Sequence, residues 1–215
     1  PLIGNWEALR WGMLGLAIKG SIWIGFAGLF LGIGLGGKRY QPFEMFLLIL
    51  AMLVAVVIGW WLLNTPHDPS NMKLPFLYFS DHWKWEPDTT LKHRPEIWGG
   101  LLFALISGII YSGLKKRDQL ASNLALWGML GGALGFPLGQ MIQATNAWNP
   151  DFFRESFLGG VTKYFNWWNI METTFGAVMG AVLGLGLWIN RRRIAVSNET
   201  DVSPLPAWLI GILLT

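Results

Sequence analysis

Residues 45–63 read MFLLILAMLVAVVIGWWLL, a run without a single charged side chain. A helix of this length rises about 28 Å at about 1.5 Å per residue, close to the ~30 Å hydrocarbon core of a bilayer. No water is available at that depth to bond the backbone, so a spanning segment must satisfy its own hydrogen bonds as a helix. The run therefore predicts a transmembrane helix.

Four other runs have the same character, and a further one opens near the end of the chain. The predicted helices cover 12–37, 45–63, 97–114, 120–142 and 173–190, with the start of a sixth at 205–215. Because that last run is shorter than a membrane span, we expect the chain to be part of a longer polypeptide. The predicted fold is all-α: one polytopic integral membrane helical bundle over 1–215, with five complete transmembrane helices.

Composition supports the same class. Charged residues are 13% of the 215 residues and hydrophobic residues are 53%, whereas a soluble domain carries about 25% charged residues. This charge cannot cover a soluble globule, and the chain has no Cys, so soluble enzymes, disordered chains and disulfide scaffolds are excluded. The expected partners are the lipid bilayer and helices of the same longer chain or of other membrane subunits, with no nucleic acid.

Basic residues cluster at the ends of the predicted helices, at 38–39, 115–117 and 191–193. The positive-inside rule places these short connections in the cytoplasm. The long loops 64–96 and 144–167, and the N-terminus, are then expected to be extracytoplasmic. A bacterial plasma (inner) membrane is the expected location.

Small residues recur at every fourth position of each complete run, a pattern typical of a glycine zipper. The members are Gly28, Gly32 and Gly36; Ala51, Ala55 and Gly59; Gly100, Ala104, Gly108 and Ser112; Gly131, Gly135 and Gly139; and Gly176, Gly180 and Gly184. Residues i and i+4 share one helix face, so the pattern predicts close helix packing. Sliding surfaces in a moving transporter are the alternative.

Three segments share one order of residues: an acid, an aromatic residue followed by glycine, and then a glycine-rich helix. They are Glu7 with Trp11-Gly12, Glu96 with Trp98-Gly99, and Glu172 with Phe175-Gly176. This order predicts tandem helical-hairpin repeats. Independent use of interfacial Trp and of acids at helix N-termini is the alternative.

The first long loop holds the densest set of polar and aromatic side chains, proposed as ligand-binding candidates: Asp81, His82, Trp83, Trp85, Glu86 and Asp88. Carboxylates accept hydroxyl hydrogen bonds and indoles stack on apolar faces, which suits a sugar or a lipid-linked head group. An interfacial loop with no ligand is the alternative. No His lies in a predicted helix and no ligand spacing suggests a metal, so we expect no cofactor and no metal site.

The second long loop contains Asn149-Pro150, a pair typical of a helix start. Its many aromatic residues predict an amphipathic helix lying in the outer interface. A lid over an outer cavity is the alternative.

Three polar residues in or at the edge of the predicted helices complete the set of candidates: Lys19, Gln140 and Glu172. Ionisable groups at membrane depth usually mark functional sites and have partners. We expect Lys19 and Glu172 to pair beside a cavity that Gln140 shares. Snorkelling of Lys19 to the interface is the alternative.

Three functions fit these features. The first is movement or binding of a polar solute through an outer-facing cavity. The others are a non-catalytic subunit of a larger membrane complex, and a membrane enzyme acting on a lipid-linked or glycan substrate at the outer surface. No catalytic residue is assigned, and whether the protein is an enzyme stays open.

Overall fold

The computed structural model describes residues 6–79, 95–162 and 164–195. Its helices are α1 Trp6–Leu35, α2 Pro42–Leu63, α3 Trp98–Ile110, α4 Gln119–Trp148, α5 Pro150–Glu155, α6 Phe157–Val161 and α7 Trp167–Ile189. A π-helical turn, Tyr111–Lys115, extends α3. Five helices in the described ranges are long and apolar enough to cross a membrane. The predicted all-α polytopic membrane bundle is confirmed.

Three of the observed helices are longer than predicted at the ends that border the long loops. α1 begins at Trp6 rather than at 12, α4 continues through Pro137 to Trp148, and α7 begins at Trp167 rather than at 173. Polar residues in these terminal turns lower the hydropathy without breaking the helix, so an apolar run understates its length. The predicted run 205–215 lies outside the described residues.

The second long loop holds two short helices instead of one interfacial helix. Asn149 and Pro150 do begin a helix, α5, as predicted. The helix stops at Ser156, whose backbone is extended, and α6 follows.

Side chains and turns fix the helix ends. Asp118 caps α4 by accepting the Ala121 N–H at 3.0 Å, and Asn166 caps α7 by accepting the Asn169 N–H at 2.9 Å. Pro42 occupies the first turn of α2. α1 ends where Gly37 takes φ +65, the left-handed conformation that favours glycine after a helix.

α4 lies at the centre of the bundle, with α1 and α7 packed against it, and α2 packs on α3. The backbones of α1 and α4 approach closely at glycines, because Gly28 meets the backbone of Leu124 and Gly20 meets that of Gly132. A Cβ at any of these glycines would collide with the opposite backbone. The predicted close packing is confirmed for this seam, and its main contacts join helices of different predicted hairpins. The tandem repeat itself stays a prediction.

The glycine face of α7 lies open in the described ranges. Gly131, Gly135 and Gly139 of α4 do face α7, but they meet its larger residues, among them Phe175 and Met179. A Cβ at Gly176, Gly180 or Gly184 would have nothing within 4 Å. No helix of the described ranges packs against this stripe, because α7 turns a different face to α4, and packing on it stays a prediction.

The two ends of the bundle differ in chemistry. The connections 36–41, 116–118 and 190–195 meet at one end, which we call the basic end. There the Ala195 N–H bonds to the Leu35 carbonyl at 2.9 Å, and Lys116 Nζ bonds to the Arg39 carbonyl at 2.8 Å. The described residues 64–79, 95–97, 149–162 and 164–166 lie at the opposite end, the loop end. This grouping of the basic clusters agrees with the sequence pattern, and the side of the membrane on which they lie stays a prediction.

Candidate functional site

Lys19 forms an ion pair inside the bundle, near the loop end. Its Nζ lies 2.8 Å from Glu96 Oε2 and 2.9 Å from Oε1, and it donates to the Phe79 carbonyl at 3.1 Å. The Lys19 side chain is 24% exposed and that of Glu96 is 8% exposed. The side chain of a helical residue leans toward the helix N-terminus, which aims the ammonium at the loop end. The charge is therefore partnered by a carboxylate, as expected of an ionisable group at this depth.

Glu96 is the residue that the sequence analysis did not include among the site candidates. It stands two positions before α3, where a negative charge is favoured by the positive end of the helix dipole. The acid before Trp98-Gly99 was the signal that could have identified it. Its pairing with Lys19 ties the start of α3 to the middle of α1.

The predicted pair of Lys19 with Glu172 is wrong. Glu172 is exposed and accepts a hydrogen bond from Trp168 Nε1 at 2.7 Å, one turn earlier in α7. α1 and α7 each pack on α4 and have few contacts with each other. The assumption that the two helices are direct neighbours caused the error.

Gln140 likewise has a local partner. It is half-buried and its Nε2 donates to Gln143 Oε1 at 2.8 Å, within α4. The structure therefore gives the three candidates inside the helices separate partners: Glu96 for Lys19, Gln143 for Gln140 and Trp168 for Glu172. Their roles as ligand-binding residues stay predictions.

The loop candidates Asp81, His82, Trp83, Trp85, Glu86 and Asp88 lie outside the described residues. The segment just before them packs on the bundle. Tyr78 is 1% and Phe79 3% exposed, and the Tyr78 carbonyl accepts from Trp11 Nε1 at 3.2 Å. Phe79 also packs on the rings of Trp11, at 5.1 Å, and of Trp98, at 5.4 Å. These aromatic residues form a cover over the Lys19 pair.

Three buried nitrogens near this cover have no hydrogen-bond partner among the described residues: Asn64 Nδ2, His67 Nε2 and Trp98 Nε1. Asn64 is 1% exposed, and its Oδ1 accepts the Gly99 N–H at 2.9 Å, which places it at the start of α3. A buried N–H without an acceptor is costly. The Asn64 and Trp98 donors therefore suit a small hydrogen-bond acceptor, such as water or an anion.

Phe136 of α4 contacts both helices that pack on α4, namely α1 and α7. Its ring stacks on Phe175 of α7, with centroids 4.5 Å apart, and meets Trp23 of α1 edge-on at 5.5 Å. Edge-on and offset ring pairs of this kind are favourable beyond their area burial. Aromatic rings therefore connect α4 to both α1 and α7, on a partly exposed surface where Trp23 is 60% exposed.

A second polar network closes the basic end. Tyr40 donates to Asp118 Oδ2 at 3.0 Å, and Asp118 is 1% exposed. Burial of the phenol, followed by the charge of Asp118, raises the pKa of Tyr40 above its ordinary value. Glu44 accepts from Tyr111 and from Lys116, whose Nζ is 2.9 Å away. Each carboxylate of this network therefore has its partners within the protein.

The described ranges contain no cluster of side chains that could hold a metal ion. No three His, Asp or Glu side chains there are grouped to hold an ion. With no Cys in the sequence, thiolate ligands are also absent.

The five apolar helices define the class: an all-α polytopic integral membrane protein. A stretch of 51 residues, 22% of the chain, is 47% identical to the fluoride-specific ion channel FluC of Marinobacter nauticus. The match covers 40% of that protein, so the chain spans about two fifths of the length of this curated relative. No protein-family model matches the chain, and no solved structure matches it.

Proposed function

We propose that this protein moves a small inorganic anion through its bundle, by way of an outer-facing cavity beside Lys19. The likeness to a fluoride-specific ion channel at 47% identity is the observation that carries this proposal. Fluoride is accordingly the first ion to test. The likeness covers 22% of the chain, so the ion must be established on this protein itself.

The Lys19 pair gives the proposal a chemical centre. Lys19 is the more exposed partner, at 24% against 8% for Glu96, so an arriving anion reaches the ammonium before the carboxylate. The anion would then compete with Glu96 for one cation, which allows binding without making release too costly. The N–H groups of Asn64 and Trp98, which have no acceptor among the described residues, supply further donors near the same cover.

Orientation is part of the proposal. The basic end would face the cytoplasm of a bacterium, and the loop end, with the N-terminus, would face outward. The chain has no native Cys, so single-Cys variants Ser70→Cys and Lys38→Cys report each end. An impermeant thiol reagent should label position 70 in intact cells and label position 38 only after lysis. The reverse pattern would contradict the orientation.

Flux through the purified protein tests the function. Fluoride-loaded liposomes that contain the 215-residue chain should release fluoride faster than protein-free liposomes with the same load, as measured with a fluoride electrode. Chloride-loaded liposomes measure selectivity. Lys19→Met should slow release at least about tenfold, since a few kcal/mol of charge stabilisation at membrane depth is lost. Lys73→Met, a change at an exposed loop residue, is the matched control. Release of both ions at the same rate as from protein-free liposomes would reject the proposal.

A second candidate, a non-catalytic subunit of a larger membrane complex, is favoured by one observation. The glycines of α7 present a flat face with nothing against it in the described ranges. A face of this kind suits close approach of another membrane helix. Extraction from native membranes in mild detergent should then give a stoichiometric assembly that Gly180→Leu disrupts and Gly34→Leu does not. A lone chain that retains ion flux would rule this candidate out.

A further inference from the structure

The basic end carries far more positive than negative charge. Eight basic side chains meet there, from the clusters 38–39, 115–117 and 191–193, against two carboxylates in the described ranges, Glu44 and Asp118. The contact of Ala195 with Leu35 and that of Lys116 with Arg39 hold the three clusters together. Six positive charges remain after subtraction of the two carboxylates.

Neither carboxylate is available to the other bases. Glu44 is occupied by Lys116 and Tyr111, and Asp118 by Tyr40 and the N–H of Ala121. The side chains of five exposed bases make no hydrogen bond or ion pair in the described ranges: Lys38, Arg39, Lys115, Arg117 and Arg192. These side chains are therefore open to an anion from outside this set of residues.

These bases border the apolar belt of the bundle. The Arg191 guanidinium lies 4.8 Å from the ring of Trp188, whose side chain is 61% exposed. Leu114, next to Lys115, is 76% exposed, and Phe43, close in sequence to Arg39, is 70% exposed. Exposed apolar side chains followed at once by bases mark the level of lipid headgroups.

We propose that the basic end binds the phosphate headgroups of anionic phospholipids through Lys38, Arg39, Lys115, Arg117 and Arg192. The excess of charge and its position at the edge of the apolar belt favour lipid over a soluble anion. Each base near an anionic surface strengthens binding about fivefold. This inference is independent of the proposed ion flux.

The test uses the full chain in nanodiscs of phosphatidylcholine with about one third phosphatidylglycerol, with lipid retention after detergent washing measured by native mass spectrometry. Wild type should retain phosphatidylglycerol over phosphatidylcholine. K115Q/R117Q/R192Q should lose that preference by on the order of a hundredfold. R10Q/K73Q/R154Q, with the same charge change at the loop end, should keep it. R192Q alone, expected to lose about fivefold, covers the case in which the triple variant does not fold.

Three outcomes would overturn the proposal. Equal losses in the basic-end and loop-end variants would mean that net charge alone retains the lipid. Displacement of phosphatidylglycerol by inorganic phosphate at millimolar concentration would identify a soluble anion as the ligand. A preference that is absent in wild type and appears in E199Q/D201N would identify acids of the segment 196–215 as the occupant.

Discussion

Two helix faces with the same spacing of glycines behave differently in this bundle. Gly28 and Gly32 of α1 lie against the backbone of α4, whereas Gly176, Gly180 and Gly184 of α7 face no atom of the described ranges. In both helices a glycine occurs at every fourth position. The spacing therefore indicates that a helix can be approached closely, and the arrangement of the other helices decides whether it is.

The difference also shows what holds the buried seam together. Where Gly20 and Gly28 of α1 cross α4, no side chain of their own separates the helices, so contact at these points depends on backbone atoms at close range. Polar contacts add to this seam at the middle of α1, through the Lys19–Glu96 pair, and just after α1 ends, through the Tyr40–Asp118 hydrogen bond. The exposed face of α7 has neither feature in the described ranges.

A large side chain placed between α1 and α4 should cause the largest loss of stability. Gly28→Leu places its Cβ within 2.7 Å of the Leu124 carbonyl carbon, and backbone cannot yield as a side-chain tip can. We expect a loss of at least about 3 kcal/mol, the upper end of the range for overpacking. Thermal unfolding in detergent, followed by Trp fluorescence, measures it.

Gly34→Leu is the control on the same helix, because a Cβ there has nothing within 4 Å. It should change stability by less than about 0.5 kcal/mol. Equal losses for the two variants would mean that the seam is not the reason for glycine at position 28.

Removal of the Lys19 pair is the next largest effect. Lys19→Met removes the ammonium that pairs with Glu96, whose side chain is 8% exposed. We expect this to cost about 2 kcal/mol, less than breaking a fully buried pair because Lys19 is 24% exposed. Glu96→Gln in the same chain should recover part of the loss. Unfolding of the two single variants and the double variant gives the coupling energy.

A second cycle of the same kind uses Glu172→Gln with Lys19→Met. Since Glu172 bonds to Trp168 instead, these two changes should add within about 0.5 kcal/mol. Strong coupling in this cycle, and none with Glu96, would restore the pair expected from the sequence.

The Tyr40–Asp118 hydrogen bond at the basic end should contribute less to stability than the Lys19–Glu96 pair. Tyr40→Phe removes a hydrogen bond to a buried carboxylate and should cost about 1–2 kcal/mol, whereas Tyr164→Phe, at a residue that is 84% exposed, should cost almost nothing. Because the pKa of Tyr40 is raised on folding, the neutral phenol contributes fully below about pH 10, and its contribution is lost as the pH rises further. The difference in phenolate absorbance between wild type and Tyr40→Phe should therefore appear above pH 10. A phenolate signal from Tyr40 below that pH would contradict the contact.

The sequence predicted the helices and the grouping of the basic clusters because both depend on local patterns. It missed the partner of Lys19 because that partner depends on the order of the helices in the bundle. Counting residues from each helix end gives the depth of a side chain in the membrane, and Glu96 and Glu172 both lie near helix starts at the loop end. It recognised one glycine register in α4, at 131, 135 and 139, and missed the other, Gly128 and Gly132, which meets α1. Two registers on one helix are a sign that two helices pack on it.

The smallest expected effect is that of Gly180→Leu, and it tests the exposed half of the comparison. A leucine there points into space that no described atom fills, so the stability of the lone chain should change by less than about 0.5 kcal/mol. Gly135→Leu, on the α4 face that meets α7, should cost more, because its Cβ would lie 2.8 Å from the Phe175 carbonyl oxygen. Unfolding of both variants in detergent gives the contrast within one helix pair. If Gly180→Leu destabilises the lone chain as much as Gly135→Leu does, then the rest of this same chain covers the α7 face. If it leaves the lone chain intact but breaks an assembly extracted from native membranes, the face belongs to an interface between subunits.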